Sequence, residues 1–235
     1  MAFPLPDSPA RARALARTAP PACGLLPALL GSAAALALLL LRLRLSERAS
    51  FIFLAWNLAL AWAPYAFALC AAALGPRAPA PLQGALLVLW ALFLPNAPYL
   101  LTDFVHLRVR PGVPVWLDIG LLALFAATGW LLGLLSLEVW RARWEARWGA
   151  AAAWALAALT CVACGYGIWL GRVLRWNSWD LLGAPGALCL QVLAHLRAPS
   201  AHPGLLSVTG VFGALMLLSS VAFALLRRTP APPRA

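Results

Sequence analysis

The polar side chains best suited to chemistry lie in one stretch of an otherwise apolar region, residues 92–107. Pro95 and Pro98 must break or kink a helix there, because proline donates no backbone hydrogen bond and its ring clashes with the preceding turn. Asn96 is placed to cap a new short helix that begins at Ala97, with a proline tolerated in its first turn. The stretch therefore predicts an interrupted helix.

Beyond the break, five polar side chains recur at the spacing of one helical face. They are Tyr99, Thr102, Asp103, His106 and Arg110. A polar stripe beside a broken membrane helix is one way in which membrane proteins present a ligand site. An amphipathic helix at the membrane surface would show the same stripe turned to water. Because a carboxylate is costly at membrane depth, Asp103 favours the first interpretation without closing the second.

Two acidic residues in this region allow further interpretations. Asp103 and His106 have the i, i+3 spacing with which Glu-x-x-His pairs ligate metals. No second complete ligand pair accompanies them in the sequence, so we predict neither a metal nor a cofactor. Asp118 falls one turn into the next predicted helix. It would either stabilise the positive end of the helix dipole or face the polar stripe.

A second stretch, residues 165–180, combines arginines, tryptophans and a polar turn. Arg172 and Arg175 stand at i, i+3 on one predicted helical face, and arginine can bind phosphate or carboxylate through two hydrogen bonds. The alternative is a belt in which arginine and tryptophan extend to the lipid headgroups. Gly167 and Gly171 form a small-residue face that allows close helix packing.

The two stretches fall on one side of the membrane in the predicted topology, which motivates a single ligand site. Its predicted members are Asn96, Tyr99, Asp103, His106, Asp118, Arg172, Arg175, Asn177 and Asp180. We expect Arg172 to be the charge partner of Asp103, because an unpaired carboxylate at membrane depth is unfavourable.

The composition indicates a protein of the lipid bilayer. The chain is 63% hydrophobic and 11% charged, with a mean hydropathy of +0.84, whereas about a quarter of a soluble domain is charged. The net charge of +11 comes from arginines at the ends of apolar runs, where they meet anionic headgroups. We therefore expect membrane lipids as partners and no nucleic acid. The alanine, leucine and arginine usage suggests a GC-rich bacterial genome.

Six apolar runs are long enough to cross a bilayer. They predict helices over residues 24–41, 51–74, 115–137, 150–171 and 205–226, and a third helix from residue 82 that is broken at Pro95–Pro98. They form one predicted membrane domain, residues 23–227, between an Arg- and Pro-rich tail at 1–22 and a Pro-rich tail at 228–235.

Two further segments are predicted at the membrane surface. Residues 186–197 are apolar but short for a span, with Gln191 and His195 on one face. If this segment crosses, the number of spans becomes seven. Tryptophans at every fourth position, Trp140, Trp144 and Trp148, alternate with charged residues and predict a helix end at headgroup level.

Three sequence blocks resemble those of a bacterial membrane protein family called domain of unknown function 1361. The blocks are FLPNAPYLLTDFVHL at 93–107, WLDIGLL at 116–122 and GYGIWLGRVLRWNSWD at 165–180, in this order. The resemblance implies a polytopic inner-membrane protein and no particular reaction.

We interpret the chain as an all-α, multi-pass protein of the bacterial inner membrane. The leading hypothesis is binding or transport of a small anionic ligand or lipid headgroup. Asp103, His106 and Asp118 would orient this ligand or exchange protons with it, and Arg172 and Arg175 would hold its anion. One alternative is an enzyme acting on a lipid-linked substrate, with Asp103 or His106 as general base. The other is a structural or accessory membrane subunit.

Overall fold

The computed structural model of the chain describes residues 22–46, 50–109 and 112–227, and both predicted tails lie almost wholly outside these ranges. The described residues form helices and no strand, which confirms the predicted all-α class. In chain order the α-helices are α1 (Ala22–Leu45), α2 (Phe53–Leu74), α3 (Ala80–Phe93), α4 (Asn96–Tyr99), α5 (Val115–Val173), α6 (Asp180–Gly183), α7 (Pro185–Arg197) and α8 (Leu205–Leu226). Two 3-10 helices occupy Leu100–His106 and Pro199–Ala201.

Helix α5 folds back on itself at Gly149, where φ is 85° and ψ is 170°. Glycine adopts this conformation without the steric penalty that a Cβ would introduce. A Cβ added at Gly129 would lie 2.4 Å from the carbonyl oxygen of Ala97, and one at Gly167 would lie 2.4 Å from Pro95 Cγ. Both limbs thus reach the same level beside α4, so residues 115–148 and 150–173 run antiparallel.

Among the described residues, five helices are long and apolar enough to cross a membrane, and α3 with its broken continuation counts as one of them. Because α5 has two antiparallel limbs, these ranges contain six long apolar helical segments, as the sequence predicts. The fold is therefore compatible with an integral, multi-pass membrane protein. Helix α7 has 13 residues, which is too short to span a bilayer core of about 30 Å and gives the seven-span alternative no support.

The predicted helix end around the tryptophans is wrong in two respects. The first limb continues without interruption from residue 115 to 148 instead of ending at Leu137. Trp140 and Trp144 are buried, and their rings pack against that of Trp90 at centroid distances of 5.6 and 5.8 Å. Trp148 is exposed. Trp140 and Trp144, which their spacing alone places in the headgroup region, are thus buried by packing between helices.

Helix α1 packs antiparallel to the first limb of α5. A Cβ at Gly24 would meet Leu135, and one at Gly31 would meet Thr128. This pairing places the end of α1 beside the beginning of α5. The start of α2, the end of the Leu100–His106 helix and the end of the second α5 limb meet there too. We call this end of the bundle the Asp103 end.

Candidate functional site

The helix break lies where the sequence predicts it, but the Asn96 side chain plays a different part in it from the one predicted. Helix α3 ends at Phe93 and α4 begins at Asn96 itself, so the Asn96 side chain does not cap the new helix. Its amide donates instead to the Phe93 carbonyl and to Ser178 Oγ, both at 2.9 Å. Ser178 Oγ donates to the Leu92 carbonyl at 3.0 Å. The break therefore binds the loop that follows α5, which replaces the capping role predicted for Asn96.

Asp103 is buried at the centre of the polar residues of this end, with a relative exposure of 1%. Arg172 Nη1 lies 3.3 Å from Asp103 Oδ1, and the Asn57 amide donates to Oδ2 at 3.0 Å. Three segments that are distant in sequence thus converge on one carboxylate. The predicted pairing of Asp103 with Arg172 is present in the structure.

The Arg172 guanidinium also reaches three groups of the broken helix. Its Nη1 donates to Tyr99 Oη at 3.2 Å, and its Nη2 donates to the Thr102 carbonyl at 3.0 Å. His106 Nε2 lies 3.3 Å from the same Nη2. The structure therefore brings together Tyr99, Asp103, His106 and Arg172, which we call the Arg172 cluster.

The predicted uniform stripe is not what forms after the break. Residues 100–106 wind as a 3-10 helix, whose three-residue turn shifts side chains away from an α-helical face. Asp103 is buried while His106 is exposed, so this segment is not a surface helix with its polar face in water. Arg110, the last member of the predicted stripe, lies outside the described residues.

Asp118 lies in the first turn of α5, as the helix-dipole interpretation requires, and does not face the polar stripe. Arg42 Nε lies 2.5 Å from Asp118 Oδ1, and both side chains are nearly inaccessible. Arg42 Nη1 also donates to Ser46 Oγ at 2.5 Å. Helix α1 extends to Leu45 instead of ending at residue 41, which carries Arg42 into contact with the first α5 limb. The carboxylate thus joins α1 to α5 at the Asp103 end, instead of facing the predicted stripe.

The remaining predicted site residues lie between the end of α5 and the first residue of α6. Arg175 does not share a face with Arg172, because the helix ends at Val173 and Arg175 is exposed at φ 59°. Asp180 Oδ2 accepts hydrogen bonds from the backbone and side-chain nitrogens of Asn177 at 2.7 and 3.2 Å. Asp180 therefore closes a local turn.

A cavity of about 300 Å³ lies beside the Arg172 cluster, between α2, the helix break, the second α5 limb and α7. Its polar lining residues are Asn57, Asn96, Tyr99, Tyr166, Asn177 and Ser178. Its apolar lining includes Trp56, Leu60, Leu92, Ala163, Leu170 and Leu188. Asn57 and Tyr99 belong to both the cavity wall and the hydrogen bonds of the cluster, so the two features form one candidate site.

Gly167 and Gly171 make this site compact, as their spacing predicts. Gly167 packs directly on Pro95, and a Cβ at Gly171 would lie 3.4 Å from the Tyr99 ring. Larger side chains would push the second α5 limb away from the helix break.

Sequence reasoning missed Asn57, Arg42 and Tyr166. The signal for Asn57 was an amide inside an apolar helix, where a polar group needs a partner. The signal for Arg42 was a charge directly after an apolar run that could continue as helix. Tyr166 is part of the second stretch but was not assigned to the site.

Metal ligands are not clustered in the described ranges, where no three His, Cys, Asp or Glu side chains could hold one ion. The groups facing the cavity are amides and hydroxyls, with one partly exposed guanidinium beside them. Such groups can hold oxygen atoms of a ligand by hydrogen bonds.

The described residues form an all-helical bundle that has several helices suited to a membrane and a cavity lined by both polar and apolar side chains. The chain belongs to the family described as protein of unknown function DUF1361, whose model matches residues 56–219. The matched range contains the helix break and the Arg172 cluster. The chain matches no curated protein and no solved structure.

Proposed function

We propose that this chain is a multi-pass protein of the bacterial inner membrane that binds the anionic headgroup of a lipid, or a small anionic molecule, in the cavity beside Arg172. The observation that carries the proposal is the mixed lining of the cavity. Amides and hydroxyls from α2, the helix break, α5 and the loop after α5 line it together with aliphatic and aromatic side chains. An amphiphile needs this combination.

The accessible charge at the site is positive. The relative exposure of the Arg172 side chain is 24%, whereas that of the Asp103 side chain is 1%. A ligand that extends from the cavity towards its neighbour Arg172 would meet the guanidinium and not the carboxylate, which favours an anion. The buried carboxylate holds Arg172 in place from behind.

Neutral donors complete the binding surface. Tyr99 Oη accepts a hydrogen bond from Arg172 and keeps its own proton for a ligand. The Asn57 and Asn177 amides each donate one hydrogen to a carboxylate and have a second N–H. Hydrogen bonds to an anion are about twice as strong as those between neutral groups. Several such donors in a site shielded from water therefore favour an anionic ligand over a neutral one. Trp56, exposed on α2 at the edge of the cavity, suits the boundary between lipid and headgroups.

The test is mass spectrometry of the protein purified from its native membrane. Ala163 lines the cavity, and Ala163→Phe would fill it. Ala155→Phe is the matched control, because Ala155 is exposed on the same limb and does not line the cavity. We expect wild type and Ala155→Phe to retain the same anionic ligand and Ala163→Phe to lose it. A ligand retained equally by all three, or found in none, would contradict the proposal.

A further inference from the structure

Helix α7 rests on the bundle through one buried side chain, His195, which is 2% exposed. Tyr166 Oη of the second α5 limb lies 2.7 Å from His195 Nδ1. Gln191, one turn earlier on α7, places its amide nitrogen 2.7 Å from His195 Nε2. The rings of Trp169 and His202 contact the imidazole edge to face, with centroids 4.7 and 4.4 Å away. His195 is therefore fixed in position and in ring orientation.

The hydrogen-bonded row of side chains that runs from Gln191 through His195 to Tyr166 ends at the cavity. Tyr166 lines the cavity from α5, and Leu188 lines it from α7. His195 thus joins the two elements that form this wall.

The direction of the hydrogen bonds leaves one donor free for a ligand. A neutral imidazole has one donor and one acceptor nitrogen. With the Gln191 amide nitrogen donating to Nε2, the proton of His195 lies on Nδ1 and is donated to Tyr166 Oη. The phenolic proton must then go to another acceptor. Within the described part of the chain, His195 is the one hydrogen-bond partner of that hydroxyl.

We propose that Tyr166 is a ligand-binding residue whose hydroxyl donates to a phosphate oxygen of the molecule in the cavity, and that His195, braced by Gln191, is its positioning residue. This inference rests on the proposed function and names its ligand class as a phosphate group. The phosphate can belong to a lipid headgroup or to a free anion.

The arrangement makes binding sensitive to acid. Burial lowers the pKa of His195, and a charge on His202 lowers this pKa further. The groups facing the ring are Tyr166 and Trp169 from α5, Gln191 from α7, and His202 after it, and none of these is acidic. Protonation also converts Nε2 into a donor that opposes the Gln191 amide nitrogen. The hydrogen bonds that join His195 to Tyr166 and Gln191 are therefore intact at a pH well above the ordinary histidine pKa of about 6.5. They weaken as the pH falls below that value.

The experiment titrates the full chain in detergent with a short-chain phosphatidylglycerol and, separately, with inorganic phosphate at pH 7.5 and pH 5. We expect Tyr166→Phe to weaken binding about tenfold at pH 7.5, as loss of one hydrogen bond to a charged group predicts. His195→Leu should weaken it similarly. His195→Asn, whose amide can donate from near the Nδ1 position, should restore much of the affinity. It should also remove the pH dependence of lipid binding, because the phosphate diester of phosphatidylglycerol carries one negative charge at both pH values. Binding of the lipid alone identifies a headgroup, and equal binding of phosphate identifies a free anion.

Different outcomes separate this inference from the proposed function. If Ala163→Phe abolishes binding while Tyr166→Phe and His195→Leu bind like wild type, the cavity binds a ligand and the role of Tyr166 is overturned. If Ala163→Phe has no effect on a ligand that does bind, the proposed function fails. If neither probe binds the wild type, the phosphate assignment is overturned. Should His195→Leu fail to fold, Tyr166→Phe and His195→Asn still decide the question.

Discussion

Arg172 Nη1 and Asp103 Oδ1 lie 3.3 Å apart, which joins the end of the second α5 limb to the segment that follows the helix break. The carboxylate is buried and the guanidinium is partly exposed. Because Arg172 also donates to Tyr99 Oη and the Thr102 carbonyl, one side chain holds two turns of the broken segment. This pair positions the polar lining of the cavity.

A double-mutant cycle should show that the pair acts as a unit. Asp103→Asn and Arg172→Gln should each destabilise the protein, since each leaves a charged group without its counter-charge. The double mutant should lose less than the sum of the two, with a coupling free energy of about 0.5–3 kcal/mol. Thermal unfolding of the four proteins in one detergent measures this. Strict additivity would separate the two residues energetically.

Breaking the Arg42–Asp118 pair should lower the stability of the protein at least as much as breaking the Asp103–Arg172 pair. Both side chains are inaccessible, so Asp118→Asn or Arg42→Gln leaves a buried charge, for which a loss of about 3–5 kcal/mol is expected. Replacement of both by leucine should recover much of the loss. Arg44→Gln is the control, because Arg44 is exposed in the same turn of α1. Equal stability of Arg42→Gln and Arg44→Gln would show that the pair contributes nothing.

Arg108 and Arg175 should lie on the same side of the membrane, because only the two antiparallel limbs of α5 separate their loops. Single cysteines at these exposed positions, in a background without native cysteines, should react with an impermeant thiol reagent from the same side. A cysteine at Arg147, exposed near the Gly149 turn, should react from the opposite side. Labelling of the first two from opposite sides would mean that α5 crosses an odd number of times.

Membrane integration itself should survive alkaline carbonate. Five helices in the part of the chain that the structure describes have the length and hydropathy of spans, so extraction at high pH should leave the protein in the membrane pellet. Release into the supernatant would contradict the membrane assignment.

Most of the long helices could be predicted from the sequence, because a helix that crosses a membrane requires an apolar run of a certain length. Residues 205–226 were expected as a span, and α8 runs from Leu205 to Leu226. The pairing of Asp103 with Arg172 also followed from elementary electrostatics, since a carboxylate at membrane depth requires a cation on the same side. Proline chemistry located the break at Pro95, although the segment beyond it is 3-10 and not α-helical.

What the sequence could not supply is the order in which helices pack. The sequence assigns no cation to Asp118, and it is the antiparallel contact of α1 with α5 that brings Arg42 to it. Trp140 and Trp144 have the spacing of a headgroup belt, yet contact with Trp90 buries them. Helical spacing aligned Arg175 with Arg172, and the end of α5 at Val173 separates them. Each of these outcomes depends on contacts between segments far apart in the chain.

We expect the cavity beside the Arg172 cluster to hold an anionic group, either of a lipid or of a small molecule. An experimental structure of the protein purified from its native membrane, with its native lipids, is the decisive measurement. It should show density for this group among Tyr99, Tyr166 and Asn177, and for a lipid this density should continue into an apolar chain along Leu60 and Leu92. A cavity that holds only water, in a map that shows ordered lipid elsewhere on the protein, would contradict this expectation.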